Sequence, residues 1–175
     1  MTLANGPLAL VVMGVSGSGK SSIGKALAAA TGYDFVDADD LHPAANVAKM
    51  RGGTPLTDED RWPWLAAVTA AMADRVRAGR GVVVACSALK RVYRDRLRQA
   101  GPGVRFVHLA GSEALIAARL GRRGGHFFDP KLLASQFATL EAPDPATEPD
   151  VLVVDAAATF TTVVANVAAA LDLAG

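Results

Sequence analysis

Residues 14–21 read Gly14, Val15, Ser16, Gly17, Ser18, Gly19, Lys20 and Ser21, a match to the pattern G-x-x-x-x-G-K-[ST] that constrains the fold more than any other feature of the chain. Glycines at these positions allow the positive-φ turns that aim successive backbone N–H groups into one concavity. Such a loop needs a strand to deliver it and a helix to leave it, and both flanks comply. Residues 8–13 form an unbroken apolar run ending at Gly14, as expected of a central parallel strand covered on both faces. Ile23, Leu27 and Ala30 then recur at helical spacing until Gly32 supplies a left-handed stop. The first N–H groups and the positive end of that helix meet the glycine loop at the same point, which makes an anion site suited to phosphates. Lys20 is expected to reach the β and γ phosphates of ATP, and Ser21 to place its hydroxyl on Mg²⁺. With Ser22, these eight residues are the expected ATP-binding set, with ATP and Mg²⁺ as cofactors.

The remaining periodicity predicts an α/β fold. A short strand over residues 33–36 runs into Asp37, Asp39 and Asp40, and Pro43 then reads as the first turn of a short helix. Thr57 and Asp60 have the spacing of a capping box, and Trp62, Leu65, Val68, Met72 and Val76 form one apolar stripe, with Pro63 leaving the start of that helix open. Further buried strands are expected over 81–86, 104–109 and 151–154. Ser112 is placed to cap a helix carrying Leu115, Ile116 and Leu120, and a last helix carries Phe160, Val163, Val164, Val167, Ala168 and Leu171. The expected architecture is a single P-loop kinase domain over 1–175, a five-stranded parallel sheet flanked by helices, with a mobile basic lid over approximately 120–140. Residues 121–128, rich in glycine, arginine and histidine, are its centre.

Composition narrows the partners. Eighteen Lys and Arg against seventeen Asp and Glu leave a net charge of +1, so no global field draws in nucleic acid or an anionic membrane. The run at 8–13 is too short to span a bilayer and lacks a basic leader, and the lone Cys86 lies in an apolar strand, so a cytoplasmic protein with a buried thiol is expected. His42, His108 and His126 have no metal-ligand spacing.

Asp37 and Asp39 stand at the C-terminal end of a strand, where parallel sheets gather their ligands. One carboxylate can hold Mg²⁺ through water while the other orients or deprotonates an acceptor hydroxyl; the assignment taken is Asp37 with Ser21 for the metal and Asp39 for the acceptor. Arg119, Arg122 and Arg123 follow a helix and can neutralise charge on a transferring phosphoryl group, with Lys20, Asp39, Arg119 and Arg123 as the catalytic set. Trp62 and Trp64 are read as core rather than as pocket walls.

With those residues in place, the chain resembles the gluconokinase family, small relatives of shikimate and nucleoside monophosphate kinases. The resemblance extends from Met13 through the loop to Asp37-Ala38-Asp39, Leu41-His42-Pro43, Asn46 and Lys49-Met50. It continues through Pro55-Leu56, Asp58, Asp60-Arg61 and Pro63-Trp64-Leu65, then Cys86-Ser87-Ala88-Leu89-Lys90, Tyr93-Arg94-Asp95, Gly125-His126-Phe127-Phe128 and Gln136-Phe137. It implies Mg²⁺-dependent transfer of the γ-phosphoryl of ATP to the 6-hydroxyl of D-gluconate, giving 6-phospho-D-gluconate and ADP, by a homodimer. It also implies adenine contacts near 155–158 and a substrate set of Asp39, His42, Arg61, Lys90 and Arg94, the last three being candidates for the guanidinium or ammonium that meets the sugar-acid carboxylate. A kinase for another small hydroxy acid such as shikimate, and a nucleotide-dependent binding module, are the alternatives.

Overall fold

The computed structural model describes residues 6–122 and 129–173. Strands β1 (Ala9–Met13), β2 (Asp34–Asp37), β3 (Val82–Ala85), β4 (Val104–Ala110) and β5 (Val151–Asp155) form one five-stranded sheet in the order β2-β3-β1-β4-β5, and every neighbouring pair is parallel. Between them run α1 (Lys20–Thr31), a tight helical turn over Ala38–Leu41, α2 (Ala44–Arg51), α3 (Asp58–Arg77), α4 (Arg91–Arg98), α5 (Glu113–Arg122) and α6 (Pro130–Thr139); α7 (Phe160–Ala170) follows β5. Among the described residues no helix is long and apolar enough to cross a membrane.

Each strand reads as a continuous apolar run because both faces of the sheet are covered. Val11, Met13, Val82, Val84 and Phe106 point to one face and pack with Leu65, Val68 and Met72 of α3 and Leu97 of α4. Leu10, Val12, Val83 and Val107 point to the other and meet Ile23 and Leu27 of α1 and Val163 and Val167 of α7. A third cluster, Val15, Leu89, Ile116 and Leu133, lies against α5 and α6 and includes the second residue of the glycine loop.

Two expectations about helices change, and the helix start that Pro63 left open is settled. Pro63 lies inside α3, whose start is set upstream by a capping box: Thr57 Oγ1 accepts from Asp60 N–H while the Asp60 carboxylate accepts from Thr57 N–H. Trp62 is 39% exposed and the core position belongs to Trp64, 4% exposed, whose indole N–H donates to Ala38 O at 2.7 Å. Phe160, expected in the core of the last helix, is 52% exposed at the first position of α7.

The 141–149 segment carries a buried acid. Glu148 accepts from Arg94 Nε at 2.8 Å and Arg94 Nη2 at 2.6 Å, and Arg98 adds a contact of 2.7 Å. Arg94 Nη1 donates to the carbonyls of Ala88 and Leu89 at 3.1 and 3.2 Å. Ala88 has φ 46, a left-handed conformation that a Cβ disfavours, so the guanidinium holds the strained turn that leads out of β3. Breaking one side of so buried a pair leaves the other charge uncompensated. Arg94→Ala or Glu148→Ala should therefore lower the unfolding free energy by about 3–5 kcal/mol in urea titration. The Arg94 guanidinium holds the Glu148 carboxyl down at about 2. Its contribution is thus present above the unfolded carboxylate value of ~4.3 and lost as the pH falls through about 2.

Candidate active site

The site grows from the C-terminal end of β1. Gly14, Gly17 and Gly19 have φ of 147, 82 and 99, so the loop can turn its amides inward only with glycine at those positions. Contact adds a second constraint, because a Cβ on Gly17 would lie 2.7 Å from the Leu120 side chain and one on Gly14 2.8 Å from Ser18 Oγ. Lys20 opens α1 and its ammonium folds back to donate to Val15 O at 3.0 Å. Ser21 Oγ donates to Asp37 Oδ2 at 3.0 Å, while Asp37 Oδ1 caps the next turn by accepting from Asp39 N–H at 3.0 Å. One carboxylate thus ties the start of α1 to the turn that presents Asp39.

Lys20 and Asp39 are tuned against one another. Burial lowers the pKa of the Lys20 ammonium, and the negative charges of Asp39 and Asp37 oppose that shift. Loss of water around Asp39, followed by the like charge of Asp37, raises its carboxyl, and Lys20 pulls the other way. Cys86, also near Lys20, is fully enclosed, and burial pushes its thiol up to about 12, which leaves it unreactive.

Beyond Asp39, the His42 ring stacks on Trp64 with centroids 4.2 Å apart and 14° between planes. Asn46 Nδ2 lies 3.3 Å from His42 Nδ1 and donates to Asp60 O at 2.9 Å. An amide N–H on Nδ1 makes that nitrogen the acceptor and puts the ring proton on Nε2. Burial lowers the His42 pKa, so the ring is neutral and a donor at pH 7.

Arg61 and Lys90 converge on Asp58. Lys90 Nζ is 3.3 Å from both Asp58 oxygens, Arg61 Nη1 is 3.8 Å from Oδ1, and Tyr93 OH donates to the same Oδ1. Arg61 Nη1 also donates to Leu56 O at 2.8 Å and to Tyr93 OH at 3.3 Å. The Tyr93 hydroxyl, ahead of Lys90, draws the Asp58 carboxyl down, and Asp58 in turn raises the Lys90 ammonium. Arg94 does not join this group. It is 1% exposed with its donors committed to Glu148, Ala88 and Leu89, which removes it from the substrate set. No sequence signal pointed to Asp58 as the centre of the cluster, since three acids precede Arg61 within four residues.

On the other side of the glycine loop, a cavity of about 310 Å³ is lined by Gly17, Gly19, Arg119, Arg122, Ala156 and Phe160 among others. Of residues 155–158, expected near adenine, Ala156 and Ala158 border it, and Arg119 Nη2 donates to Ala156 O. Arg123, expected in the catalytic set, and most of the expected lid centre lie outside the described residues. A more open groove of about 640 Å³ around Arg91, Arg98 and Arg105 sits by the start of β4, the opposite end of the strands from the loop. The Asp39 carboxyl should titrate above the ordinary ~3.9 in carbon-detected NMR. Lys20→Met, which removes the ammonium that holds it down, should raise that midpoint further; a fall would contradict the coupling.

Known proteins resemble this chain in sequence and in fold. A family model described as an AAA domain matches residues 10–143. The chain is 52% identical over 137 residues to a gluconokinase of Gluconobacter oxydans, covering 78% of this chain and 77% of that one. It is 47% identical over 145 residues to the thermoresistant gluconokinase of Escherichia coli, with 83% and 82% covered. Its structure superposes on the crystal structure of a gluconokinase from Sinorhizobium meliloti with a TM-score of 0.83 at 50% identity, covering 95% and 92% of the two chains.

Proposed function

This chain belongs to the gluconokinase family, and from that membership we propose that it transfers the γ-phosphoryl group of ATP to the 6-hydroxyl of D-gluconate, giving 6-phospho-D-gluconate and ADP. One observation supports this reading above the others. Asp39 and Lys20 stand at the phosphate loop, while Arg61, Lys90 and Tyr93 gather around a carboxylate, and His42 lies within electrostatic reach of both Asp39 and Arg61. A six-carbon sugar acid has its carboxylate at one end and its primary hydroxyl at the other, which suits a site divided in that way.

In the proposed reaction Arg61 and Lys90 hold the C1 carboxylate, and the His42 Nε2–H donates to a hydroxyl of the chain. Asp39 orients the 6-hydroxyl and accepts its proton as the O6–P bond forms and the bond from phosphorus to the β-phosphate bridging oxygen breaks. A raised carboxyl pKa makes Asp39 a better proton acceptor than an exposed aspartate. Lys20 and Arg119 stabilise charge on the transferring group and on departing ADP.

Among the described residues no group of three or more His, Cys, Asp or Glu could hold a metal alone. A hydroxyl and a carboxylate 3.0 Å apart at the loop are instead the hard oxygen donors that suit Mg²⁺ when phosphates complete its shell. Ser21 and Asp37 would hold it there, where it would supply positive charge to the phosphate oxygens. A homodimer in the cytoplasm remains part of the proposal.

The test is ADP formation from Mg-ATP against a panel of gluconate, other sugar acids, shikimate and nucleoside monophosphates. Stimulation by gluconate above all others is expected, and none by gluconate would remove the substrate. Lys20→Ala should cut kcat by a factor on the order of 100 to 1,000 while thermal unfolding stays unchanged. Arg61→Ala should raise KM for gluconate about tenfold with KM for ATP unmoved, as loss of a charged hydrogen bond to substrate requires.

A further inference from the structure

Helix α6 reaches the phosphate loop through one carboxamide. Ser16 N–H donates to Gln136 Oε1 at 2.7 Å, and Gln136 Nε2 donates to Ser16 Oγ at 2.9 Å, across 120 residues of sequence. A main-chain N–H only donates, so the orientation of the carboxamide is settled: oxygen on the amide, nitrogen on the hydroxyl. The helix that carries Gln136 is itself anchored, since Leu133 and Phe137 pack with Val15, the residue before Ser16, and with Leu89 and Ile116. Gln136 is therefore held in place by apolar packing while its polar end grips the loop.

The consequence falls on the hydroxyl hydrogen. A serine hydroxyl has one donor and two acceptor sites. With Nε2–H occupying an acceptor site, the Ser16 O–H is left to donate, and it does so away from Gln136. Val15, next to Ser16, has its carbonyl 3.0 Å from Lys20 Nζ. Ser16 follows that carbonyl directly, so its side chain stands next to the peptide gripped by the Lys20 ammonium, within the loop whose pattern cradles phosphates. We propose that Gln136 is a positioning residue that fixes the Ser16 hydroxyl as a donor to the γ-phosphoryl oxygens of ATP, so that the pair distinguishes ATP from ADP and supports transfer. This rests on the kinase reading above.

Three substitutions test it, read by steady-state kinetics with gluconate and by calorimetric binding of Mg-ADP and of a non-hydrolysable Mg-ATP analogue without acceptor. Gln136→Ala should lower kcat about tenfold and weaken the ATP analogue about threefold, with ADP binding unchanged, the size expected for one misdirected hydrogen bond to a charged group. Ser16→Ala should do the same, and the double substitution should be no worse than Ser16→Ala alone. Gln136→Glu is the decisive variant. Its carboxylate still accepts from the Ser16 amide, but it also accepts from the hydroxyl, which turns the O–H inward and adds negative charge beside the phosphates. It should be worse in kcat than Gln136→Ala although it is nearly isosteric.

If Gln136 were only a structural tie, Glu would be the milder change, the single losses would add, or ADP and ATP analogue would weaken together. Any of these results overturns the proposal. If gluconate fails to stimulate the wild-type enzyme while another acceptor does, and Gln136→Ala still loses selectivity for the ATP analogue, the gluconate reading falls and this one stands.

Discussion

A loop that offers its N–H groups to a phosphate cannot use them to hold itself together, so its shape has to come from the surroundings. Here it comes from several directions. The Gly14 N–H is tied to Ser87 O at 3.3 Å, the Ser16 N–H to Gln136, and Gly17 is overlaid by Leu120. Strand β1 lies at the centre of the sheet with β3 and β4 on either side, and the supports arrive from the ends of those strands and from α5 and α6. The active site is therefore the place where the sheet's carboxyl ends and the third apolar cluster meet.

The charged residues around this frame divide by burial. Arg94 and Glu148 are removed from water, and each requires the other; they stabilise the Ala88 turn rather than bind a ligand. Arg61, Lys90 and Asp58 stay partly solvated, so their attractions are screened and can be exchanged for those of an incoming group at little cost. Lys20 and Asp39 occupy the middle ground, desolvated enough for burial to shift both pKa values toward the neutral forms and close enough for each to resist the other's shift.

What the sequence disclosed follows from the range of the forces involved. The strands and the phosphate loop were legible because their signals are local: unbroken apolar runs, and glycines with a lysine at fixed spacing. The capping box at Thr57 was local too, and it was right about the start of α3 despite Pro63. Trp62 and Trp64 could not be sorted in that way. Two residues apart on a helix they face about 200° away from each other, so only one can reach the core. The choice was made by a carbonyl on the turn after β2 that accepts the Trp64 N–H. Arg94 was read as a substrate contact for a similar reason, because Glu148 lies 54 residues further on and nothing near Arg94 in sequence announces it.

The cluster about Asp58 has a consequence for selectivity. Under the proposed assignment a substrate carboxylate at Arg61 and Lys90 would not meet bare cations, because Asp58 already compensates them and Tyr93 donates to the same oxygen. Exchanging one carboxylate for another at such a site yields little net Coulombic energy. A simple anion would gain almost nothing by entering. On the proposed assignment a ligand has to bring hydroxyls that satisfy His42 and Asp39 as well, and discrimination would rest on matching both ends at once. That requirement selects a chain with an acid at one terminus and an alcohol at the other, which is the chemistry that a polyhydroxy acid supplies.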